Sequence, residues 1–333
     1  MSSLRKALFS LLTVPLTVSV VAIGNQPALA MPSQEPARVA GDPTSMTSGF
    51  YVDPNSNPAT WVRQNSGHAD ATLIRTQIAE KAGGRWFGNW SGDIATATRS
   101  FTTAADNAGK LPILIAYNIP GRDCGSHSGG GAGSPEAYRT WISRFADGIG
   151  TRPAVVIIEP DALAQLDCVP AAEKQTRLDL LKYAVNQFAG KNPNTWAYMD
   201  GGNATWIEAG EMARRLKLIE VGKIRGFALN TSNYYTTAQS VTKGNAIRGA
   251  LGLPAQFVID TSRNGSGSNG EWCNPAGRKL GDTSRNGNHV SGTVDMLLWL
   301  KVPGDSDGNC GIGAGIPAGT FSPVLAKRLI TGS

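Results

Sequence analysis

The chain has 333 residues and a formal net charge of +6, from 31 Lys and Arg against 25 Asp and Glu. This excess is mild for the length, and the sequence holds no run of Lys or Arg of the kind that binds nucleic acid. Composition and charge therefore exclude a nucleic-acid partner.

The N-terminus has the pattern of a secretory signal peptide. Arg5 and Lys6 form a short basic start, and an apolar run over 7–23 follows. The run ends in "QPALA", with small residues where signal peptidase cleaves. We therefore predict a signal peptide over 1–30, with cleavage near Ala30 and an extracellular mature chain. Because the removed stretch carries two positive charges and no acidic residue, the mature charge is +4.

An uncleaved membrane anchor is the alternative for this stretch, but Pro15 and the polar "GNQP" spoil a spanning helix. Residues 31–48 are rich in Pro, Ser, Thr and Ala without periodicity, which predicts a flexible tail. Nothing later resembles a linker, so 49–333 is expected to be one domain. Its length falls within the range of an α/β barrel.

Six short apolar runs recur along this domain, and each breaks into polar or Gly/Pro-containing sequence. In chain order they begin "LPILIAYNIPGRD", "AVVIIEPDA", "TWAYMDGGN", "GFALNTSN", "QFVIDTSRNG" and "MLLWLKVPGDSDG". Runs that are apolar without alternation are typical of parallel strands buried on both faces. Helical patterns such as "SPEAYRTWISRFADGI", "EKQTRLDLLKYAVNQFA" and "IEAGEMARRLKLI" lie between them. This alternation predicts a parallel α/β fold.

A doubly wound open sheet is the structural alternative, although no GxGxxG follows the first strands, which argues against a dinucleotide domain. In either fold the functional site lies at the carboxyl ends of the strands. Seven carboxylates fall there: Asp123, Glu159, Asp161, Asp200, Asp260, Asp305 and Asp307. Converging carboxylates raise one another's pKa, and a protonated carboxyl beside an ionised one is what acid/base cleavage of an acetal requires.

A structural role, such as capping a helix, is the other reading of such positions, and it is favoured for Asp260 and Glu159. Four tryptophans accompany the carboxylates in Gly/Asn-rich surroundings: Trp86, Trp90, Trp206 and Trp272. Flat aromatic faces suit pyranose rings, so as a set they favour a sugar ligand over simple packing.

Cys124, Cys168, Cys273 and Cys310 form an even set in an exported chain, which predicts disulfides. No CxxC pair occurs, and the three histidines, His68, His127 and His289, lie apart. A zinc site needs clustered ligands, so we expect no metal.

The sequence resembles glycoside hydrolase family 6, the inverting cellulases, and most of all its secreted bacterial endoglucanases. The motifs "YNIPGRDCGS", "IIEPDALA", "NTSNYYTT", "VIDTSRNG", "EWCNPAGR" and "LWLKVPGDSDG" appear in family order, within a resemblance that runs from Phe50 to Cys310. The resemblance implies a single-domain distorted parallel β/α barrel with a cleft at the carboxyl ends of the strands.

The resemblance also assigns catalytic roles. Asp161 would be the general acid, and Asp123 would keep the pKa of that acid high. Asp307 would be the base, acting directly or through a water chain that includes Ser232 and Asp200. Tyr117 would press the sugar at the cleavage point into a strained ring form.

The same resemblance implies glucose subsites lined by Trp86, Trp206, Trp272, Asn233 and Lys301. Two residues depart from the family pattern. Asn203 stands where a substrate-binding His is common, and Asp305 replaces a longer Glu. Both departures bear on the affinity of the glucose subsites more than on bond cleavage. The implied disulfides are Cys124–Cys168 and Cys273–Cys310.

The expected function is therefore endo-acting hydrolysis of cellulose or other β-1,4-glucan chains by a secreted monomer, without a cofactor and without a membrane partner. A cellobiohydrolase of the same family and a catalytically weak glucan-binding protein are the alternatives. The short chain between Cys273 and Cys310 and the direct passage of "CVPAAEKQTR" into a helix favour an open cleft and endo action. A metal-dependent esterase would need His beside the Asp residues, and none is there.

Overall fold

The computed structural model describes residues 41–287 and 290–333. The predicted signal peptide over 1–30, and the predicted tail up to residue 40, lie outside the described residues. The end of the tail, 41–48, forms turns and bends, and the backbone N–H of Ser48 donates to the carbonyl of Gly109 at 2.8 Å. None of the described helices is both long enough and apolar enough to cross a membrane.

Strands and helices alternate along the described chain. The strands are β1 (Arg85–Phe87), β2 (Ile113–Ala116), β3 (Ala154–Ile158), β4 (Thr195–Asp200), β5 (Gly226–Leu229), β6 (Gln256–Asp260), β7 (Arg285–Asn286) and β8 (Val294–Leu298). The helices are α1 (Asn57–Gln64), α2 (Ala71–Ile74), α3 (Ile94–Asn107), α4 (Pro135–Ile149), α5 (Lys174–Lys191), α6 (Ala209–Leu218), α7 (Thr237–Leu251) and α8 (Pro323–Thr331). All six predicted strands and the three predicted helices are present.

The strands form one sheet in the order β1-β2-β3-β4-β5-β6-β8-β7, parallel except for the short β7, which pairs antiparallel with β8. A doubly wound open sheet reverses its strand order at a switch point, whereas this order follows the chain from β1 to β6. The sheet curls until its ends approach. The N–H of Gly84, before β1, donates to the carbonyl of Trp299, after β8, at 2.7 Å. The predicted distorted parallel β/α barrel is confirmed.

Side chains of each strand alternate between the inside of the curled sheet and the helices outside it. In β2, Ile113 and Ile115 join the inner apolar cluster, while Leu114 packs in the outer cluster with the helices. Both clusters are buried, which explains the continuous apolar runs. Because every parallel strand ends at the same rim, the polar residues that follow the strands are collected there.

Candidate active site

A cleft of about 1010 Å³ opens at the carboxyl ends of the strands. Its walls come from the loops that follow the strands and from the segment before α1. With the exception of Asp200, which is fully buried, the predicted catalytic and substrate-binding residues all line this cleft. They are Tyr117, Asp123, Asp161, Ser232 and Asp307, with Trp86, Asn203, Trp206, Asn233, Trp272, Lys301 and Asp305. The structure therefore brings the predicted set together.

Asp161 lies in the loop after β3, with Asp200 at the end of β4 directly behind it. The backbone N–H of Asp161 donates to Oδ1 of Asp200 at 3.1 Å. Burial, followed by the charges of Asp200, Asp123 and Asp307, raises the pKa of Asp161 well above its ordinary value. Burial also raises the pKa of Asp200, to about 6. This raised pKa favours the protonated form of Asp161, which is the form that is able to donate a proton.

Asp123 lies in the loop after β2 and is tied to the Asp161 loop. Its Oδ2 accepts from the N–H of Ser128 at 2.8 Å, and its Oδ1 accepts from Nε2 of Gln165 at 3.3 Å. The disulfide between Cys124 and Cys168 joins the same two loops, with the predicted pairing. These contacts hold the Asp123 charge close enough to act on Asp161.

Asp307 is surrounded by donors. Nη1 of Arg263 lies 3.0 and 2.8 Å from its two carboxylate oxygens, and Nζ of Lys301 lies 3.2 Å from Oδ1. The hydroxyl of Tyr234 and the N–H of Asn274 donate to Oδ2 at 3.1 and 3.0 Å. Burial opposes ionisation of Asp307, but Arg263 and Lys301 outweigh it and hold the pKa at about 2. Asp307 is therefore an ionised carboxylate across the neutral and mildly acidic range.

Sequence reasoning missed Arg263, Tyr234 and Asn274 as parts of this site. All three lie inside motifs that the sequence singles out, "VIDTSRNG", "NTSNYYTT" and "EWCNPAGR". The available signal for Arg263, which is only 2% exposed, is a charged residue three positions after the end of a buried strand. The second disulfide, Cys273–Cys310, holds the Asn274 segment beside the Asp307 loop, again with the predicted pairing.

Asp260 and Glu159 have structural roles, as the alternative reading predicted, but they bind loop backbone rather than cap helices. Asp260 accepts from the N–H groups of Ser232, at 2.9 Å, and of Lys301, at 3.1 Å. Glu159 accepts from the N–H of Asn118 at 2.9 Å, and burial raises its pKa to about 7. Both carboxylates organise loops from below the cleft, and neither lines it.

The tryptophans present aromatic surface to the cleft. Trp90, Trp206 and Trp272 are 56%, 39% and 50% exposed, so packing does not account for them. Trp86 is half-buried, and its ring meets Tyr117 edge-on at 5.1 Å. Trp90, to which the family resemblance assigns no subsite, also lines the cleft. Exposed aromatic rings beside carboxylates are the surroundings that a glycan chain needs.

The family described as Glycosyl hydrolases family 6 matches residues 45–331. The chain belongs to this family. It is 51% identical over 309 residues to Endoglucanase 1 of Streptomyces halstedii, and the aligned region covers 91% of this chain and 95% of that protein. It is 30% identical over 288 residues to a 1,4-beta-D-glucan cellobiohydrolase of Podospora anserina, and the aligned region covers 71% of this chain and 67% of that protein.

Among solved structures, the endoglucanase Cel6 from Mycobacterium tuberculosis superposes with a TM-score of 0.80 at 37% identity, covering 89% of this chain and 99% of that one. That structure holds methyl-cellobiosyl-4-deoxy-4-thio-β-D-cellobioside. The likeness extends over nearly the whole domain, so this chain is a glycoside hydrolase with the fold of the family.

Asn203, the first departure from the family pattern, is engaged by the protein itself. Its Oδ1 accepts from the N–H groups of Thr205 and Trp206, each at 3.1 Å, and its Nδ2 donates to Oδ1 of Asn233 at 3.2 Å. Asn203 therefore fixes the turn that presents Trp206 to the cleft.

Asp305, the second departure, accepts from Nδ2 of Asn57 at 2.8 Å. Burial raises its pKa to about 7, against the lowering effect of Lys301 and Asn57. Asp305 is therefore largely protonated in mildly acidic conditions, and in that state it is able to donate a hydrogen bond as well as accept one.

His127 lies close to Cys273 and Cys310, a grouping that resembles a metal site. The two sulfur atoms are joined in a disulfide and offer no thiolate, so this grouping is not a zinc ligand set. Instead, the ring of His127 lies beside Trp272, with centroids 6.0 Å apart.

Proposed function

We propose that this chain is a secreted endo-β-1,4-glucanase that hydrolyses internal bonds of cellulose with inversion at the anomeric carbon. The observation that carries the proposal is the opposite shift of two carboxyl groups in one cleft: the pKa of Asp161 is raised well above its ordinary value, whereas that of Asp307 is held at about 2. Acetal cleavage needs this combination, an acid for the leaving oxygen and negative charge to draw a proton from water.

In the proposed reaction the proton of Asp161 passes to the glycosidic oxygen as its bond to C1 breaks. Water attacks C1 from the opposite face, and its proton leaves toward the base. Tyr117 lines the cleft within reach of the charges of Asp161 and Asp123, and we propose that it presses the ring at the cleavage point. No step calls for a cofactor, so we expect a chelator to leave the rate unchanged.

The surroundings of Asp307 favour an indirect role as base. Its Oδ1 has two donors and its Oδ2 has three, and a pKa of about 2 makes it a weak proton acceptor. We propose that Asp307 stabilises positive charge at the end of a water chain that passes Ser232. Asp200, with a pKa of about 6, is the stronger base near that chain.

Endo action is supported by the 51% identity to a named endoglucanase and by the chain path beside the acid. After Cys168 only five residues precede α5, which starts at Lys174, so little chain is available there to roof the cleft. The 30% identity to a cellobiohydrolase keeps exo action as the second candidate. On a soluble cellulose derivative, an endo enzyme lowers viscosity steeply while few reducing ends appear. An exo enzyme releases many reducing ends while the viscosity falls slowly.

Secretion and the monomeric state belong to the same proposal. We expect N-terminal sequencing of the exported protein to start near Met31, and its mass in solution to be that of one chain. An N-terminus at Met1 on exported protein would contradict the signal-peptide prediction.

The role of Asp161 is tested by Asp161→Asn. We expect cleavage of cello-oligosaccharides to fall by roughly 10²–10⁴, because the leaving oxygen no longer receives a proton. An aryl β-cellobioside whose phenolate leaves unprotonated should lose far less. Equal losses on both substrates would exclude Asp161 as the acid.

Inversion is tested by proton NMR in the first minutes of hydrolysis. The α-anomer should appear first from β-linked glucan, with the β-anomer growing later by mutarotation. An inverting site needs carboxyl groups about 6.5–9.5 Å apart to admit water. Asp161 and Asp307 follow β3 and β8, which have three strands between them in the sheet, and this placement supports such room. Early β-anomer would contradict both inversion and the assignment of Asp307.

A further inference from the structure

The two loops that carry Asp123 and Asp161 have a strained backbone. Four residues other than glycine have positive φ there: Asp123 (54°), Cys124 (48°), Glu159 (48°) and Asp161 (69°). Each such residue costs about 1–3 kcal/mol and persists only where its surroundings over-determine it. The disulfide and the Gln165–Asp123 contact tie the tips of these loops together, but something must also hold their bases.

Arg177 makes that connection from outside the barrel. It lies in the first turn of α5 and is 6% exposed. Its Nη2 donates to the carbonyls of Pro120 and Gly121 at 2.8 and 3.2 Å, and its Nη1 donates to the carbonyl of Ala162 at 3.5 Å. Gly121 is two residues before Asp123, and Ala162 directly follows Asp161. One guanidinium therefore spans the bases of both loops.

The placement of this cation is unfavourable by itself. A positive charge in the first turn of a helix opposes the helix dipole, and burial opposes the charge further. Among carboxylates, Glu159 acts on it most strongly, from below the same loops. Glu159 also accepts from the N–H groups of Asn118 and Ile119 at 2.9 Å each. Arg177 and Glu159 thus bind opposite polar groups of the same strained backbone, the carbonyls and the amides.

We propose that Arg177 is a positioning residue that sets the placement of Asp161 relative to Asp123 and to the scissile bond. This inference rests on the proposed function, because it concerns the acid of that reaction. Loss of Arg177 frees the carbonyls of both loops and lets the strained residues relax. An error of about 1 Å in placing a catalytic group lowers the rate by about 10². The rate of the chemical step should therefore fall, while binding at the distant sugar subsites stays unchanged.

The test compares Arg177→Met, Arg177→Lys and the control Arg139→Met. Arg139 is a partly exposed arginine of α4 that pairs with Glu136 at 3.8 Å, and its loss should have no effect on rate. For Arg177→Met we expect kcat on cello-oligosaccharides to fall by about 10², with KM within about twofold. On an aryl β-cellobioside with an activated phenolate the loss should be less than about tenfold, because that substrate needs no proton.

Arg177→Lys should recover part of the rate, since an ammonium is able to donate to the carbonyls of one loop or both. All variants are assayed at a temperature where circular dichroism shows them folded. Equal losses on the two substrates, or a fall in kcat that Lys does not relieve, would mean that Arg177 serves folding alone and would overturn the inference. A wild-type chain without activity on β-1,4-glucan would instead overturn the proposed function, so the two failures are distinguishable.

Discussion

The buried ion pair between Arg263 and Asp307 gives the sharpest test of the charge arrangement in the cleft. The two side chains are 3% and 6% exposed, so Arg263→Met leaves a carboxylate in a dry place with Lys301 as its remaining cation. Removing one partner of such a pair costs about 3–5 kcal/mol. At about 2–4 °C per kcal/mol for a domain of this size, the melting temperature should fall by roughly 6–20 °C.

The pH dependence of that loss follows from the pKa of Asp307. Its folded value of about 2 lies below the ordinary 3.8, so the pair stabilises the folded chain fully above about pH 4. That contribution is lost as the pH falls toward 2. The difference in melting temperature between wild type and Arg263→Met should therefore have its full size at pH 6 and be smaller at pH 3.

Scanning calorimetry at these two pH values measures the effect. Arg285→Met is the matched control, because Arg285 pairs with Asp282 at the surface, where the two side chains are 39% and 54% exposed. Its loss should change stability by less than about 1 kcal/mol. The double variant Arg263→Met with Asp307→Leu should be more stable than Arg263→Met alone, because no unpaired charge is left. The reasoning would be refuted if the free energy of unfolding of Arg263→Met were within about 1 kcal/mol of wild type, or if the double variant were less stable than Arg263→Met.

Two further predictions concern residues around the carboxylates. The pKa of Glu159 is raised to about 7 from an ordinary 4.5, so the folded chain keeps a proton that the unfolded chain has lost, and stability falls as the pH rises through that window. Glu159→Gln should lessen the fall in melting temperature between pH 5 and 7, to which Asp200 and Asp305 also contribute, and an unchanged slope would contradict the raised pKa of Glu159. Trp206→Ala, in an Asp161→Asn background, should weaken binding of cellohexaose about tenfold by titration calorimetry, equivalent to about 1.4 kcal/mol. Unchanged affinity would remove Trp206 from the subsites.

The sheet and the location of the site could be read from the sequence because both depend on local pattern. The run from Val155 to Ile158 is apolar on every residue, so it had to be buried on both faces, and the carboxylates after it had to lie at the rim. The short antiparallel β7 could not be predicted, because two residues carry no periodicity. The partner of Asp307 was also beyond reach, since Arg263 lies 44 positions away and only the fold brings them together.

Environment, rather than residue type, divides the roles among the aspartates, and for that reason the pattern alone could not assign them. Asp305 and Asp307 lie two positions apart in one loop, yet their pKa values are about 7 and about 2, because Arg263 binds only the second directly.

The same principle applies to Asp161 and Asp200, which lie close enough to titrate as a pair. When Asp200 is ionised, its charge helps to keep the proton on Asp161. Below a pH of about 6 Asp200 itself takes up a proton and loses its capacity to act as a base, whereas a lower pH only favours the proton on Asp161. The acidic limit of activity should therefore follow the titration of Asp200, although Asp200 lies behind the cleft wall and Asp161 is the residue that lines the cleft.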